Sequence, residues 1–372
     1  MGTYAKKLIM GPSWIGDMIM AQSLYKLLVS RNSEIEIHVV APPWSISVLE
    51  RMPEVAKTFA LPVAHGELGL GKRWALGRSL RRGGYQQAIV LPRSLKPSLI
   101  PFFASVPVRT GFSYKWRNGT GLINDRRLRD PVYLHQTVKK YVFLGLNREE
   151  EQLPSILKPQ LDVDISNLRA TVERLGLSLG TETVALMPGA GHGMAKRWPG
   201  EHYAELASRL AGVGLQVWIL GSEKERGLGD VVSGLANHPN VINLCGKTSL
   251  TDVIDLLSVA KVAVTNDSGL MHVAAAVKTH VIGIYGSSSP DFTPPLTDKK
   301  DVFYLGLECS PCYSRECPLS HFRCMKEILV DEIFSSLITV LGALGNSDDG
   351  KSMKGGLDQQ GQLPQRGLTD DT

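Results

Sequence analysis

Apolar residues recur along this chain in two alternating patterns. The first half contains four short apolar runs of the kind that forms buried strands, at residues 7–10, 35–41, 88–91 and 106–112. Two longer stretches, 18–30 and 133–146, repeat apolar residues at helical spacing. The second half restarts the alternation with five further runs, at residues 183–187, 215–220, 241–244, 262–265 and 281–285. Strands that alternate with helices predict parallel sheets with helices on both faces.

A polar, acidic stretch at residues 147–159 interrupts the alternation and indicates a linker. At 372 residues the chain exceeds one ordinary hydrophobic core. We therefore expect two Rossmann-like domains, residues 1–150 and 160–345, whose doubly wound parallel sheets face a cleft. Residues 346–372 are rich in Gly, Gln, Asp and Ser, which predicts a disordered tail.

Charge is distributed unevenly along the chain. Residues 1–150 hold 22 Lys and Arg against 10 Asp and Glu, whereas residues 151–372 hold 19 against 26. The excess lies between Arg51 and Asp130, where 15 basic residues face 4 acidic ones. This asymmetry indicates an anionic partner, either nucleic acid or an anionic lipid surface, unless the basic face is simply solvated. No apolar run is long enough to span a bilayer and no signal peptide is recognisable, so we expect a cytoplasmic protein.

Two segments that follow strands of the second half are suited to phosphate binding. Asp267, Ser268, Gly269 and His272 lie between the strand at 262–265 and an alanine-rich helix, whose free N–H groups and dipole can hold an anion. A glycine-rich turn with Gly191 and His192 precedes Lys196, and this pattern suits a pyrophosphate although it is not a Walker sequence. The alternatives are an ordinary capped helix start and a surface loop.

The first strand leads into the first helix through Gly11-Pro12-Ser13-Trp14-Ile15-Gly16-Asp17. Asp17 falls at the start of the helix, where its carboxylate would point into the cleft. Such a carboxylate can act as a general base if its surroundings tune its pKa. The alternative is a plain helix N-cap, for which aspartate is among the preferred residues.

Four of the five cysteines form the pattern C-x2-C-x4-C-x6-C, at Cys309, Cys312, Cys317 and Cys324. A disulfide framework is not expected in a cytoplasmic protein. Four thiolates at this spacing can hold a tetrahedral zinc ion, with His321 as an alternative ligand. The other interpretation is that reduced thiols pack a loop.

Six separated segments resemble the lipopolysaccharide ADP-heptosyltransferase family: GPSWIGDMIMAQSLY, LPRSLKPSLIPFF, RTGF, KRWPGEHYAEL, TNDSGLMHVAAA and SSSPDFTPPL. They occur in order from about Lys7 to Leu344 and are most similar to the subgroup that adds the second heptose of the inner core. The resemblance implies a GT-B fold, with the acceptor bound by the first domain and ADP-heptose by the second. It implies an inverting transfer to the first heptose, without a metal or other cofactor in catalysis.

The resemblance also implies roles for individual residues. Asp17 matches the proposed base of the family, and Lys196 matches a lysine that contacts phosphate. Donor contacts are implied for Gly191, His192, Glu223, Asp267, Ser268, Gly269 and His272. Acceptor contacts are assigned to four residues of the basic half, Arg93, Ser94, Lys96 and Arg109.

The expected partners are ADP-heptose, a heptosyl-Kdo-lipid A acceptor and, by peripheral contact, the inner face of the inner membrane. Nucleic acid is not an expected partner under this interpretation. Three alternatives stay open: an acceptor of the kind used for adding the first heptose, a sugar-nucleotide epimerase on the same architecture, and a non-enzymatic nucleic-acid-binding protein.

Overall fold

Two six-stranded sheets form the centre of the structure, one from each half of the chain. The computed structural model describes residues 6–64, 66–113, 119–127, 134–147, 152–191 and 193–352, with side chains up to residue 344. All paired strands in these residues run parallel. Helices connect the strands and cover both faces of each sheet, as the alternating pattern predicts.

The first sheet has the strand order β3-β2-β1-β4-β5-β6. The elements of this half are, in chain order, β1 Lys6–Met10, α1 Ile15–Arg31, β2 Glu36–Ala41, α2 Ile46–Leu49, β3 Val55–Ala60, α3 Leu70–Leu80, β4 Gln87–Val90, α4 Leu99–Phe103, β5 Val108–Phe112, β6 Asp125–Arg127 and α5 Thr137–Leu144.

The second sheet has the strand order β12-β11-β10-β7-β8-β9. Its half contains α6 Ile165–Leu175, β7 Thr183–Met187, α7 Gly200–Gly212, β8 Gln216–Ile219, α8 Arg226–Ala236, β9 Val241–Asn243, α9 Leu250–Val259, β10 Val262–Asn266, α10 Gly269–Ala276, β11 His280–Tyr285, β12 Lys300–Tyr304, α11 Arg323–Lys326 and α12 Val330–Ser352. None of the helices in the described residues combines the length and the apolar content that a membrane crossing requires.

In each sheet, the strand that comes first in the sequence lies near the centre, and later strands were added on both of its sides. In the first sheet β1 lies between β2 and β4, and in the second β7 lies between β10 and β8. A crevice opens at the carboxyl ends of the strands where the strand order reverses in this way. The loops that follow β1, β7 and β10 therefore meet across the cleft between the two sheets.

One apolar cluster joins the two halves. It extends from Ile9 and Met18 in the first half through Met271 and Ala274 of α10 to Leu256 of α9, all of them buried. The central strand β7 is buried along its whole length, because helices cover both of its faces. The two sheets thus share a core and are not joined by the linker alone.

The sequence pattern missed β3, β6 and β12 for one physical reason. All three are edge strands. The residues of β3 and β12 are exposed or only half-buried, so these strands lack the continuous apolar run that marks a central strand. Another difference is that the first helix begins at Ile15, one turn before the expected start at Met18.

The end of the chain also differs from expectation. Helix α12 continues to Ser352, past the boundary expected at residue 345. The remainder of the expected disordered tail, residues 353–372, lies outside the described residues. The domain boundaries at residues 150 and 160 stay predictions.

A buried carboxylate connects the halves on the side of the linker. Asp255 of α9 accepts hydrogen bonds from Arg51 Nη2 at 2.8 Å, from Asn167 Nδ2 at 2.7 Å and from the backbone N–H of Asp164 at 2.9 Å. Its side chain is fully buried. Since Arg51 belongs to the first half and the other residues to the second, this group fixes one edge of the interface between the halves.

We expect Asp255→Ala to lower the free energy of unfolding by about 3 kcal/mol, because it leaves the largely buried Arg51 guanidinium without its charged partner and the Asp164 N–H without its acceptor. Urea unfolding measures this loss. Glu205→Ala, which removes the exposed partner of Arg209 on α7, is the control and should leave stability close to that of the wild type. Equal, small effects of the two variants would contradict the structural role of Asp255.

Candidate active site

Four adjoining cavities form a trough that begins between the two sheets and ends within the first half. The C-terminal cavity (about 260 Å³) shares Ile15, Gly191, Ser268 and Gly269 with the central cavity (about 270 Å³). The central cavity in turn shares Trp14, Asp17 and Thr293 with the N-terminal cavity (about 390 Å³). The N-terminal cavity shares Ser13 and Pro92 with the outer cavity (about 260 Å³), which opens beside α3.

Asp17 lies in the first turn of α1 and lines both the central and the N-terminal cavity. The N-cap of this helix is Trp14, so the expectation that Asp17 serves as a plain cap does not hold. Burial, and then the nearby Asp267, raises the pKa of Asp17 to about 6, against the opposing charges of Lys196 and Arg93. A carboxylate with this pKa is ionised at neutral pH and is basic enough to accept a proton.

Lys196 and Asp267 of the second half form a largely buried ion pair that also lines the central cavity. Lys196 Nζ lies 2.5 Å from Asp267 Oδ2, and Thr293 Oγ1 donates to Asp267 Oδ1 at 3.2 Å. Asn266 at the end of β10 holds the lysine loop in place, because its Oδ1 accepts from Trp198 N at 3.0 Å and its Nδ2 donates to Pro188 O at 2.8 Å. The ammonium group therefore has a fixed position facing Asp17.

The first turns of α1 and α10 meet across the central cavity. A Cβ atom on Gly16 would lie 2.6 Å from Cδ2 of His272, and one on Gly269 would lie 3.1 Å from Cβ of Ile15. Burial lowers the pKa of His272 to about 4, so that its imidazole is neutral. Two helix N-termini in such proximity favour an anion in the cavity between them.

The C-terminal cavity has the features of a nucleoside site. Its walls combine apolar side chains such as Leu220, Val253 and Leu270 with the carboxylate of Glu225. Glu225 Oε2 accepts from Ser222 N at 2.7 Å and from Ser222 Oγ at 2.8 Å, which orients it. A flat base fits an apolar slot, and a carboxylate accepts hydrogen bonds from ribose hydroxyls.

Glu223, predicted as a donor contact, does not line this cavity. Its carboxylate pairs with Arg226 at 2.6 Å on the exposed side of the loop. Sequence reasoning missed Glu225, although the capping-box pattern from Ser222 to Glu225 could have shown that the second glutamate is turned inward.

The four predicted acceptor residues lie in different places. Arg93 lines the N-terminal cavity, and Ser94 and Lys96 line the outer cavity. Arg109 lines none of these four cavities. Its guanidinium donates to three backbone carbonyls, those of Leu122 at 3.0 Å, Val106 at 2.6 Å and Gly121 at 2.9 Å. These bonds hold a loop together, so this geometry does not support acceptor contact by Arg109.

The segment after β11 is noted in the sequence only for its resemblance to the family, and it adds residues to which no role is assigned there. Thr293 lines both the central and the N-terminal cavity. The carbonyl of Phe292 accepts from Thr137 N at 3.2 Å, and Lys140 Nζ lies 5.2 Å from the centre of the Phe292 ring. The second half thus reaches over and forms part of the N-terminal cavity.

Of the remaining donor residues, Gly191 lines both the C-terminal and the central cavity, together with Ser268 and Gly269. His192 lies outside the described residues. The structure therefore brings Asp17, Lys196 and the start of α10 together around one cavity, as the sequence predicts.

The cysteine segment packs against the loop that carries Lys196, because Ala195 N donates to the carbonyl of Arg315 at 3.0 Å. Its cysteines are not among the residues that line the four cavities. Burial, and then the neighbouring thiols of Cys309, Cys312 and Cys317, raises the pKa of Cys324 to about 11. Within the described part of the chain, no group of three or more His, Cys, Asp or Glu side chains is arranged to hold a metal ion. The four thiols are nevertheless close enough for their charges to interact, and the zinc interpretation stays a prediction.

Comparison with known proteins places this site in a family. The family model described as Glycosyltransferase family 9 (heptosyltransferase) matches residues 73–323. The chain is 44% identical over 308 residues to lipopolysaccharide heptosyltransferase 2 of Escherichia coli (strain K12), covering 81% of this chain and 88% of that protein. It is 41% identical over 309 residues to lipooligosaccharide heptosyltransferase 2 of Haemophilus influenzae, covering 80% and 88%. The solved structure of E. coli ADP-heptose lps heptosyltransferase II matches with a TM-score of 0.82 at 37% identity, covering 91% of this chain and 99% of that one.

Two parallel sheets that face a common trough, together with this structural match, define a glycosyltransferase of the GT-B class. The chain belongs to glycosyltransferase family 9, the heptosyltransferase family. Both the family and the fold class expected from the motifs are confirmed. The roles of the individual site residues stay predictions, which the geometry above refines.

We expect Gly16→Ala to slow sugar transfer about 100-fold, because the new methyl group collides with His272 and shifts Asp17 relative to Lys196. Steady-state kinetics measures the effect. Gly234→Ala on α8 is the matched control, since a Cβ atom there meets nothing within 4 Å. If Gly16→Ala turned over at the wild-type rate, the contact between α1 and α10 would not be what positions the base.

Proposed function

We propose that this protein transfers L-glycero-D-manno-heptose from ADP-heptose to the first heptose of the lipopolysaccharide inner core. The observation that carries the proposal is that Asp17 from the first half and Lys196 from the second line the same cavity. The sequence similarity to heptosyltransferase 2 proteins supports the same conclusion. It favours transfer over epimerisation and over nucleic-acid binding.

The donor would occupy the C-terminal and central cavities. Adenine fits between Leu220, Val253 and Leu270, and the ribose hydroxyls lie within reach of Glu225. The pyrophosphate would then lie at the start of α10, where free N–H groups and the helix dipole stabilise negative charge. Lys196 on the adjoining wall adds a positive charge, and this position places the anomeric carbon in the central cavity.

The reaction needs a base on one side and charge stabilisation on the other. Asp17 takes the proton of the acceptor 3-hydroxyl, and that oxygen forms a bond to the anomeric carbon. The bond from this carbon to the β-phosphate oxygen breaks, and ADP leaves with the electron pair. Lys196 and the α10 N-terminus stabilise the negative charge that develops on the leaving group. Attack from the face opposite the phosphate inverts the configuration, and no covalent enzyme intermediate is required.

The acceptor would occupy the N-terminal and outer cavities. Arg93, Ser94 and Lys96 line these cavities and suit the phosphate and carboxylate groups of a heptosyl-Kdo-lipid A acceptor. Because this acceptor carries acyl chains, the protein would act at the cytoplasmic face of the inner membrane in peripheral contact with it. An acceptor without the first heptose is the alternative substrate, and direct comparison of the two acceptors distinguishes them.

Asp17→Asn should reduce transfer by about 10²–10⁴ while ADP-heptose still binds, because the amide cannot accept the proton. The wild-type kcat/KM should rise with pH through about 6 as Asp17 ionises, and the variant should lack this limb. Protonation of Asp17 also stabilises the folded state, because its pKa is higher there than in the unfolded chain. This contribution is complete below pH 3.8, the ordinary pKa of the group, and is lost as the pH rises through about 6. The variant should therefore melt no lower than the wild type at pH 8. Near-normal turnover in folded Asp17→Asn, with the exposed Glu34→Gln as control, would refute the assignment.

Lys196→Ala should weaken ADP-heptose binding about 10–100-fold and slow turnover, since it removes a charged group beside the pyrophosphate. Isothermal titration with ADP-heptose and acceptor-dependent kinetics measure the two effects separately, and the acceptor KM should change little. Lys224→Ala, an exposed lysine of the same half, serves as the control. A loss of acceptor affinity with donor binding intact would show that the two cavities are assigned the wrong way round.

A further inference from the structure

Helices α3 and α4 form an outer surface of the first half that exposes large apolar side chains. Leu68, Leu70, Trp74 and Phe102 are each between 44% and 52% exposed. Leu68 and Leu70 lie at the start of α3, Trp74 lies on it, and Phe102 lies on α4. We call these four residues, with the cations around them, the α3–α4 face.

The two helices form one continuous surface. A Cβ atom on Gly77 of α3 would lie 2.6 Å from Cβ of Phe103 and 2.8 Å from the carbonyl oxygen of Ile100, so α3 and α4 are in backbone-level contact. Arg81 Nη2 donates to Ser105 Oγ at 2.7 Å and joins the end of α3 to the residues after α4. The exposed apolar side chains therefore belong to a single packed unit and keep fixed relative positions.

The core does not need these side chains. Helix α3 turns Arg73, Gly77 and Leu80 inward, where they are buried. Trp74 and Arg78 lie one turn apart on the opposite side of the helix and are exposed. An exposed tryptophan on the outer side of a helix that already packs on the core through other residues indicates contact with something other than this chain.

Cations surround the apolar side chains. The guanidinium of Arg78 lies 5.3 Å from the centre of the Trp74 ring, and that of Arg109 lies 5.7 Å from the Phe102 ring. Residues 68–124 contain ten Lys and Arg and not one Asp or Glu. The acidic residue just before this stretch, Glu67, pairs with Lys72 at 2.9 Å. Tryptophan between arginines is typical of surfaces that lie at the interface of an anionic bilayer.

The α3–α4 face adjoins the acceptor end of the trough. The outer cavity is lined by Gly66 and Glu67 just before α3 and by Arg73 within it. Arg73 Nε donates to the carbonyl of Leu68 at 2.7 Å, which ties the cavity wall to the face. A lipid-linked sugar can thus enter the trough and reach Asp17 while its acyl chains stay in a bilayer beneath α3 and α4.

We propose that the α3–α4 face docks the protein on an anionic phospholipid bilayer, with Leu70, Trp74 and Phe102 at the acyl boundary and Arg78, Arg81 and Arg82 against phosphate groups. This inference rests on the proposed function for its biological purpose, because a lipid-linked acceptor requires access to a membrane. The docking itself is measured independently of transfer. The charge complementarity and the exposed aromatic side chains favour a bilayer over a protein partner.

The first experiment measures sedimentation with vesicles of phosphatidylglycerol and phosphatidylcholine in equal parts, and with phosphatidylcholine alone. The wild type should bind the anionic vesicles only. Arg78→Gln/Arg82→Gln should bind about 20-fold more weakly, since each cation near the surface contributes about fivefold. Leu70→Ser/Trp74→Ser should bind about tenfold more weakly. The control for the apolar pair is Val231→Ser/Leu235→Ser, which changes similarly exposed apolar residues of α8. The control for the arginine pair is Arg169→Gln/Lys224→Gln, which removes exposed cations of the second half. Both control variants should bind the anionic vesicles like the wild type.

The second experiment compares turnover on a deacylated, water-soluble acceptor with turnover on the intact acceptor embedded in the anionic vesicles. The face variants should match the wild type on the soluble acceptor within about twofold and lose about tenfold on the embedded one. Loss of vesicle binding in the variants, combined with no turnover of either acceptor by the wild type, would support docking and refute the proposed function.

Three outcomes would overturn the docking proposal. If the face variants bound anionic vesicles as tightly as the wild type does, the membrane contact would lie elsewhere on the protein. Binding of the wild type to an oligonucleotide but not to vesicles, abolished by the same variants, would identify the partner as nucleic acid. If the wild type did not bind vesicles but sedimented as a dimer, and Leu70→Ser/Trp74→Ser made it monomeric, the partner of this face would be a second copy of the chain.

Discussion

The close approach of α1 and α10 is the constraint on which the site depends. Gly16 lies against His272, and Gly269 lies against Ile15, so each helix presents a residue without a side chain to the other. This contact brings two helix N-termini, and the loops after β1 and β10, to the same cavity. The distance from the carboxylate of Asp17 to the anion-binding end of α10 is therefore set by backbone packing and not by flexible side chains.

The charges around this contact are balanced in a way that suits base catalysis. Burial raises the pKa of Asp17, and the neighbouring Asp267 raises it further, whereas Lys196 acts in the opposite direction. The same lysine pairs with Asp267. Under the proposed function, a bound pyrophosphate competes for Lys196 and weakens its effect on Asp17. The carboxylate then becomes more basic when the donor is in place, which couples proton acceptance to donor occupancy.

The sequence alone predicts those features of the molecule that local pattern encodes. Lys196 and Asp267 follow buried strands of the second sheet whose apolar runs are continuous, so their meeting at one edge of that sheet follows from parallel topology. Asp17 follows a strand of the first sheet, and it joins them because the two sheets face the same cleft. Strands β3 and β12 were not predicted, because these edge strands lack continuous apolar runs. The hydrogen bonds of Arg109 to three backbone carbonyls were not predictable, since they depend on a loop fold that no short pattern specifies. The choice between Glu223 and Glu225 depends on a turn that points neighbouring side chains to opposite sides.

The apolar cluster that runs through both halves has a consequence for how this molecule melts. Ile9 and Met18 share one buried network with Met271, Ala274 and Leu256, so separating the halves would expose apolar surface on each of them. Each half therefore gains stability from its contact with the other, and unfolding of one half exposes apolar surface on its neighbour. The two Rossmann-like units are distinct in topology but coupled in stability.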